Sequence, residues 1–250
     1  MKSPSMKFKE KQPLYLLEEI ASILRGENGC AWDKEQTSNT LKPYLIEEAY
    51  EVYDAIDGDD AEHMKEELGD LLYQIYAHAQ IAKEKNIFTI DDIARGITEK
   101  LIRRHPHVFG DEKVDNPKDV IDRWEKIKKT EKSSDESILD GVPKHLPGLL
   151  KAYRIQQKVS RIGFDWENID DTINKLYEEV GELKEAIASE KKEDILDEAG
   201  DMLFSIVNVL RFIKINPEDA ILKTTEKFIH RFKYVENRVN EENKQMDKMS

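Results

Sequence analysis

The chain has 250 residues, 36% charged and 39% hydrophobic, with only 11 glycines and 8 prolines, a balance that suits long amphipathic helices. A formal charge of −13 argues against a nucleic-acid backbone or an anionic membrane as the main partner, and no apolar run approaches the roughly 18 residues that span a bilayer. The single cysteine, Cys30, excludes an internal disulfide and points to a reducing cytoplasm, and residues 1–12 are too polar for a signal peptide.

Leu16, Leu17, Ile20, Ile23 and Leu24 recur at helical spacing and predict a first helix over 14–24 that stops near Gly26. A loop over 29–40 carries Trp32, whose ring either anchors the loop on the core or stacks on a nucleobase. Pro43 suits a helix start, so the next helix is predicted over 43–56, followed by the turn Asp57-Gly58-Asp59-Asp60 and a helix over 61–83. Gly69 inside that helix costs about 1 kcal/mol relative to alanine, which suggests close approach of another helix or a ligand. Thr89 or Asp91 caps a helix over 93–104, on which Lys100 and Arg104 lie one turn apart, and Pro106 then breaks the pattern. A helix over 120–129 carries Trp124.

Residues 130–147 lose their periodicity and turn to Ser, Asp, Gly and Pro. The chain therefore divides into an N-terminal domain over 1–128, a linker over 129–148 and a C-terminal domain over 149–250. The second part opens with a basic amphipathic helix over 149–162 bearing Lys151, Arg154, Lys158 and Arg161. Helices over 171–189 and 192–215 follow, the latter with Asn208 facing inward, and a last helix over 217–240 bears Lys227 and Arg231.

The carboxylates fall into a pattern on these helices. A helical residue turns about 100°, so residues three or four apart share a face. Glu48 and Glu51 point the same way beside the apolar stripe of Leu45, Ala49, Val52 and Ile56, while Glu47 falls on the far side. Glu67 borders the stripe of Met64, Leu68, Leu71 and Ile75, with Asp70 beside it. Folding the two helices together brings four carboxylates to one seam, where burying even one unpaired anion costs several kcal/mol. A divalent cation removes the conflict, and an all-oxygen ligand set without Cys or His favours Mg²⁺ or Mn²⁺.

The pattern then recurs 131 positions later as Glu178, Glu179, Glu182, Glu198 and Asp201. Gly69-Asp70-Leu71-Leu72-Tyr73 is answered by Gly200-Asp201-Met202-Leu203-Phe204, Trp32 by Trp166, and Glu99-Lys100-Leu101-Ile102-Arg103-Arg104 by Glu226-Lys227-Phe228-Ile229-His230-Arg231. The expected fold is all-α, a tandem repeat whose unit is a whole helical domain.

At these residues the chain resembles the MazG family of nucleoside triphosphate pyrophosphohydrolases, whose signature is E-E-x-x-E followed by E-x-x-D on paired helices. Gly29-Cys30-Ala31-Trp32-Asp33-Lys34-Glu35-Gln36-Thr37 and Arg104-His105-Pro106-His107-Val108-Phe109 are typical of its two-domain members. The resemblance implies Mg²⁺- or Mn²⁺-dependent hydrolysis of nucleoside triphosphates to monophosphate and pyrophosphate, a nucleotide-pool house-cleaning reaction, by a homodimer that completes the helical bundles. It implies metal ligation by Glu48, Glu51, Glu67 and Asp70 and by Glu179, Glu182, Glu198 and Asp201, with Glu47 and Glu178 placed as outer groups around the metal or as bases acting through water. Lys100, Arg104, Lys175, Lys227 and Arg231 would meet the phosphates, and Trp32, Trp166 and Asn208 the rest of the substrate.

Both copies keep four carboxylates and a Lys-x-x-x-Arg pair, so both are expected to bind metal and turn over. They differ at two places: Lys175 stands where the first copy has Tyr44, and Trp124 follows Arg104 whereas no tryptophan follows Arg231. The alternative is a non-catalytic acidic helical interaction module whose solvated carboxylates bind no stoichiometric Mg²⁺. A di-iron carboxylate bundle needs Glu-x-x-His, which no histidine here completes.

Overall fold

A computed structural model describes residues 12–58, 60–110, 116, 119–120, 123–124, 127, 131 and 137–241, and all regular structure among them is helical. The chain separates into two compact units, Met1–Glu131 and Lys132–Ser250. Unit 1 contains α1 (Pro13–Arg25), α2 (Ala31–Glu35), α3 (Ser38–Asp57), α4 (Ala61–Glu84), α5 (Ile90–Arg104) and α6 (Pro106–Phe109). Unit 2 contains α7 (Gly148–Ser160), α8 (Ile169–Ser189), α9 (Lys192–Phe212) and α10 (Pro217–Glu241). Of the helix expected over 120–129, residues 120, 123, 124 and 127 are described and helical, and much of the expected linker lies outside the described residues.

Helix starts follow side-chain caps. Thr37 and Thr40 form a reciprocal box, in which the Thr40 N–H donates to Thr37 Oγ1 at 3.2 Å and the Thr37 N–H to Thr40 Oγ1 at 2.8 Å. This starts α3 at Ser38 rather than at Pro43, which lies inside the helix and withholds one backbone N–H. Asp60 caps α4 by accepting from Glu62 and His63, Thr89 and Asp92 box the start of α5, and Asn168 caps α8. The loop expected over 29–40 contains the short helix α2, too brief to leave a period in sequence. Both carboxylate hairpins leave by the same turn: Asn86 after α4 and Lys214 after α9 are left-handed, at φ 55° and 62°. The Ile87 N–H then bonds the Ala82 carbonyl at 3.0 Å, and the Ile215 N–H the Leu210 carbonyl at 2.8 Å.

In each unit two long helices pack as an antiparallel pair, α3 with α4 and α8 with α9, and the preceding helix covers them, α1 on α4 and α7 on α9. The cores are thin. Leu41, Ala77 and Ile81 cluster with Tyr73 in unit 1, while Thr172, Val207 and Pro217 are the largest fully buried side chains among the described residues and lie in unit 2. No residue of α5 is buried, and Ile46, Tyr50, Ile97, Phe228, Phe232 and Val235 all face outward. The close approach that Gly69 suggested is not made within the described residues, because a Cβ added there, or at Gly200, would meet no atom within 4 Å.

Candidate metal centre

In unit 1 the α3–α4 pair brings carboxylate oxygens of Glu48, Glu67 and Asp70 within 4.8 Å of one another. Gln74 Nε2 donates to Glu48 Oε1 at 3.3 Å, and His63 Nε2 lies 2.9 Å from Glu67 Oε1. Burial, with the negative charges of Glu51 and Asp70 beside it, raises the Glu48 carboxyl above its ordinary range. Glu51 is thus close to Glu48 but exposed and outside the three-residue group; Glu47 is exposed as well.

In unit 2 the group is Glu179, Glu182 and Glu198, again within 4.8 Å; Glu179 and Glu198 answer Glu48 and Glu67, whereas Glu182 answers Glu51. Glu179 is buried; Lys175 Nζ lies 2.8 Å from its Oε1 and 2.6 Å from Glu178 Oε1. The two carboxylates hold the Lys175 ammonium charged, well above the ordinary lysine value. Glu179 Oε2 is buried with no hydrogen-bond partner among the described residues. Desolvation and the charges of Glu179 and Glu198 raise Glu182, with Lys175 opposing them.

A cavity of about 590 Å³ adjoins this second group. Trp166, Lys175, Glu179, Asp201, Asn208 and Arg211 line it together with the apolar side chains of Ile155, Val159, Phe164 and Phe204. Asp201 lines the cavity and lies outside the three residues whose oxygens are all within 4.8 Å of one another. One wall is fastened by Arg211, which donates to Asn208 Oδ1 at 3.0 and 2.9 Å and to Asp165 Oδ2 at 3.1 Å, next to Trp166. The buried Gln156 amide donates to the Phe204 carbonyl at 2.9 Å.

The predicted substrate residues are not all gathered at these groups. Trp32, half exposed on α2, meets Tyr44 edge-on with ring centroids 5.9 Å apart. Lys100 is exposed on α5. Arg104 is held by Glu131 and lies over the Trp124 ring at 5.6 Å, and Arg103 Nε donates to the other Glu131 oxygen at 2.6 Å. These arginines, Arg104 first, pull the Glu131 carboxyl down to about 2. Lys227 and Arg231 are exposed on α10 and do not line the cavity. On α7, Lys158 donates to the carbonyls of Ile138 and Asp140 at 3.0 and 2.7 Å, and Lys151 to that of Lys144 at 3.3 Å, so these two lysines tie down the incoming segment.

Sequence reasoning missed Gln74, His63, Gln156, Asp165 and Arg211. His63 stands four residues before Glu67 and could have been found by helical spacing. Arg211 and Asp165 are 46 positions apart and leave no local signal.

The donor set fits a hard divalent ion: three carboxylates within reach in each unit, only oxygens, and in unit 2 a buried carboxylate oxygen that no protein donor satisfies. Paired helices that gather acidic residues twice define a tandem all-α protein with two candidate metal-carboxylate sites. The MazG nucleotide pyrophosphohydrolase domain matches residues 36–109 and again 167–236. The nucleoside triphosphate pyrophosphohydrolase/pyrophosphatase MazG of Thermotoga maritima is 47% identical over 236 residues, covering 93% of this chain and 90% of that one. The nucleoside triphosphate pyrophosphohydrolase of Escherichia coli K12 is 44% identical over 84% of this chain and 81% of its own length. The uncharacterized protein YabN of Bacillus subtilis is 49% identical over 97% of this chain, which spans 51% of it. The chain belongs to the MazG family.

Proposed function

We propose that the chain hydrolyses nucleoside triphosphates between the α and β phosphates, releasing monophosphate and pyrophosphate, with Mg²⁺ or Mn²⁺. The observation that carries this reading is that each unit gathers three carboxylates, two of them at matching positions (Glu48 and Glu179, Glu67 and Glu198), with a cavity beside the second group. The activities for which the Thermotoga maritima and Escherichia coli relatives are named support it.

Glu48, Glu51, Glu67 and Asp70, and Glu179, Glu182, Glu198 and Asp201, would hold the cation. When bound, it supplies neutralisation of phosphate charge and a lowered pKa for a coordinated water. The chain's own residues do the remainder. Glu178, which shares the Lys175 ammonium with Glu179, and Glu47, exposed beside Glu48, would act as outer groups or accept the proton of the attacking water through an intervening water. Lys175 has its ammonium at the cavity and meets phosphate oxygens there; Lys227 and Arg231, and Lys100 and Arg104, would do so from α10 and α5. Trp166 and Phe164 offer faces for a nucleobase and Asn208 a polar contact, with Trp32 in the matching role in unit 1.

The active form is a homodimer in a reducing cytoplasm, and the protein serves to clear triphosphates from the nucleotide pool. Thin cores and outward apolar residues on α3, α5 and α10 support association. No helix of the described residues is long and apolar enough to cross a membrane. A light-scattering mass near 29 kDa at micromolar concentration would remove the dimer from this reading. The reaction is tested with a panel of canonical and damaged triphosphates whose products are separated by chromatography. Pyrophosphate and monophosphate should appear together, and only with Mg²⁺ or Mn²⁺. Nucleoside diphosphate as the first product would overturn the assignment of the cleaved bond.

A further inference from the structure

In unit 2 the carboxylate group is neutralised from within the chain. The ammonium of Lys175 sits 2.8 Å from Glu179 Oε1 and 2.6 Å from Glu178 Oε1, one helical turn before both. Glu179 is the buried member of the group, and its carboxylate has oxygens within 4.8 Å of those of Glu182 and Glu198. An ammonium and a divalent ion at that distance from the same carboxylate repel each other in a partly dehydrated setting, so the two compete for Glu179. Lys175 also lines the cavity beside the group, and its four-carbon stem lets the ammonium leave Glu179 without moving the backbone.

Unit 1 has a different device at the same place. Its residue 131 positions earlier is Tyr44, which packs on Trp32, and Glu48 receives its hydrogen bond from the neutral amide of Gln74.

We propose that Lys175 is a resident counter-ion exchanged for a divalent cation. Metal binding at Glu179, Glu182 and Glu198 frees the ammonium for the phosphates of a ligand in the adjoining cavity, so unit 2 couples metal and triphosphate binding through a residue that unit 1 lacks. The inference rests on the proposed metal and triphosphate reading of the site. By linkage the coupling is reciprocal: whatever factor the triphosphate contributes to metal affinity through Lys175, the metal contributes to triphosphate affinity.

The test uses the full chain carrying Glu48→Gln, Glu67→Gln and Asp70→Asn, so that bound Mn²⁺ reports on unit 2. Free Mn²⁺ is measured by electron paramagnetic resonance with and without the non-hydrolysable α,β-methylene analogue of ATP, corrected for Mn²⁺ held by the analogue alone. Lys175→Met should tighten Mn²⁺ binding without nucleotide by about tenfold, the expected scale for removing one nearby, partly exposed positive charge. It should also shrink the factor by which the analogue tightens Mn²⁺ by a similar amount. Lys175→Tyr, which installs the residue of unit 1, should behave alike, with circular dichroism confirming retained helix for both. Tighter Mn²⁺ with an unchanged analogue effect would mean repulsion without exchange and overturn the proposal. Unchanged Mn²⁺ affinity would also overturn it while leaving the proposed function intact. Failure of the Lys175-containing chain to bind stoichiometric Mn²⁺ would overturn both.

Discussion

The two units carry the same four carboxylates in sequence but gather and support them differently, Asp70 joining Glu48 and Glu67 in unit 1 and Glu182 joining Glu179 and Glu198 in unit 2. In unit 1 the acidic group is steadied by a neutral amide, Gln74, and an imidazole, His63; in unit 2 it is steadied by the ammonium of Lys175. The loops that carry the tryptophans are fastened by arginines from different helices. Arg25 on α1 donates to Glu84 on α4 at 2.8 Å through two nitrogens and to the Gln36 carbonyl at 3.0 Å, bracketing the Trp32 segment. Arg211 on α9 grips Asp165 and Asn208 beside Trp166. The acidic positions recur between the two copies, whereas the residues that offset and brace them do not. The family model matches both units, and the match does not make the units equivalent.

The largest test of equivalence is to silence one unit at a time. With both sites turning over, Glu48→Gln with Glu51→Gln and Glu179→Gln with Glu182→Gln should each leave measurable pyrophosphate release. The four changes together should lower it by roughly a thousandfold or more, the scale on which electrostatic transition-state stabilisation acts. Abolition by either pair alone, with folding retained, would make the other unit structural.

A smaller effect separates the two braces. Arg211→Lys keeps the charge but loses the planar fork, so hydrolysis by unit 2 should show KM raised several-fold, about 1 kcal/mol, with kcat changed less. Arg25→Lys should leave that KM unchanged and instead lower the unfolding free energy of unit 1 by about 1 kcal/mol, since its fork ties three segments together. Kinetics of unit 2 in the Glu48→Gln, Glu51→Gln background, with urea unfolding, would check both.

The smallest effect is on pH dependence. The hydrogen bonds from Arg25, more than those from Gln80, hold Glu84 below its ordinary value of 4.5. A depressed carboxylate contributes stability that is full above its unfolded value and is lost as pH falls through its folded value. Stability should thus decline below about pH 5 more steeply in the native chain than in Glu84→Gln, by no more than ~1 kcal/mol because the side chain is partly exposed. Superimposable acid limbs in urea titrations would show that the pair contributes nothing.

Much of this was legible in sequence where the cause is local. Helical period set the long elements to within a few residues, and i, i+3 spacing foretold that carboxylates from paired helices would meet. The start of α3 was misread because a Thr-x-x-Thr box lacks the usual acidic partner, whereas Pro43 looks like a beginning and is tolerated inside the helix. At Gly69 no other helix of the described residues approaches; an exposed helical glycine and a closely packed one look the same in a single chain. The braces were invisible: Arg25 to Glu84 spans 59 positions and Arg211 to Asp165 spans 46, so only the folded chain brings them together.

The thinness of the two cores has a consequence for how this protein behaves when diluted. With few described side chains fully buried in either unit, the proposed dimer would add burial that is lost when copies separate. Folding and assembly then become one equilibrium, and the melting temperature climbs with protein concentration instead of being a constant of the molecule. Assays at nanomolar enzyme would then sample loosened monomers, so activity per chain should fall on dilution and recover when the sample is concentrated again.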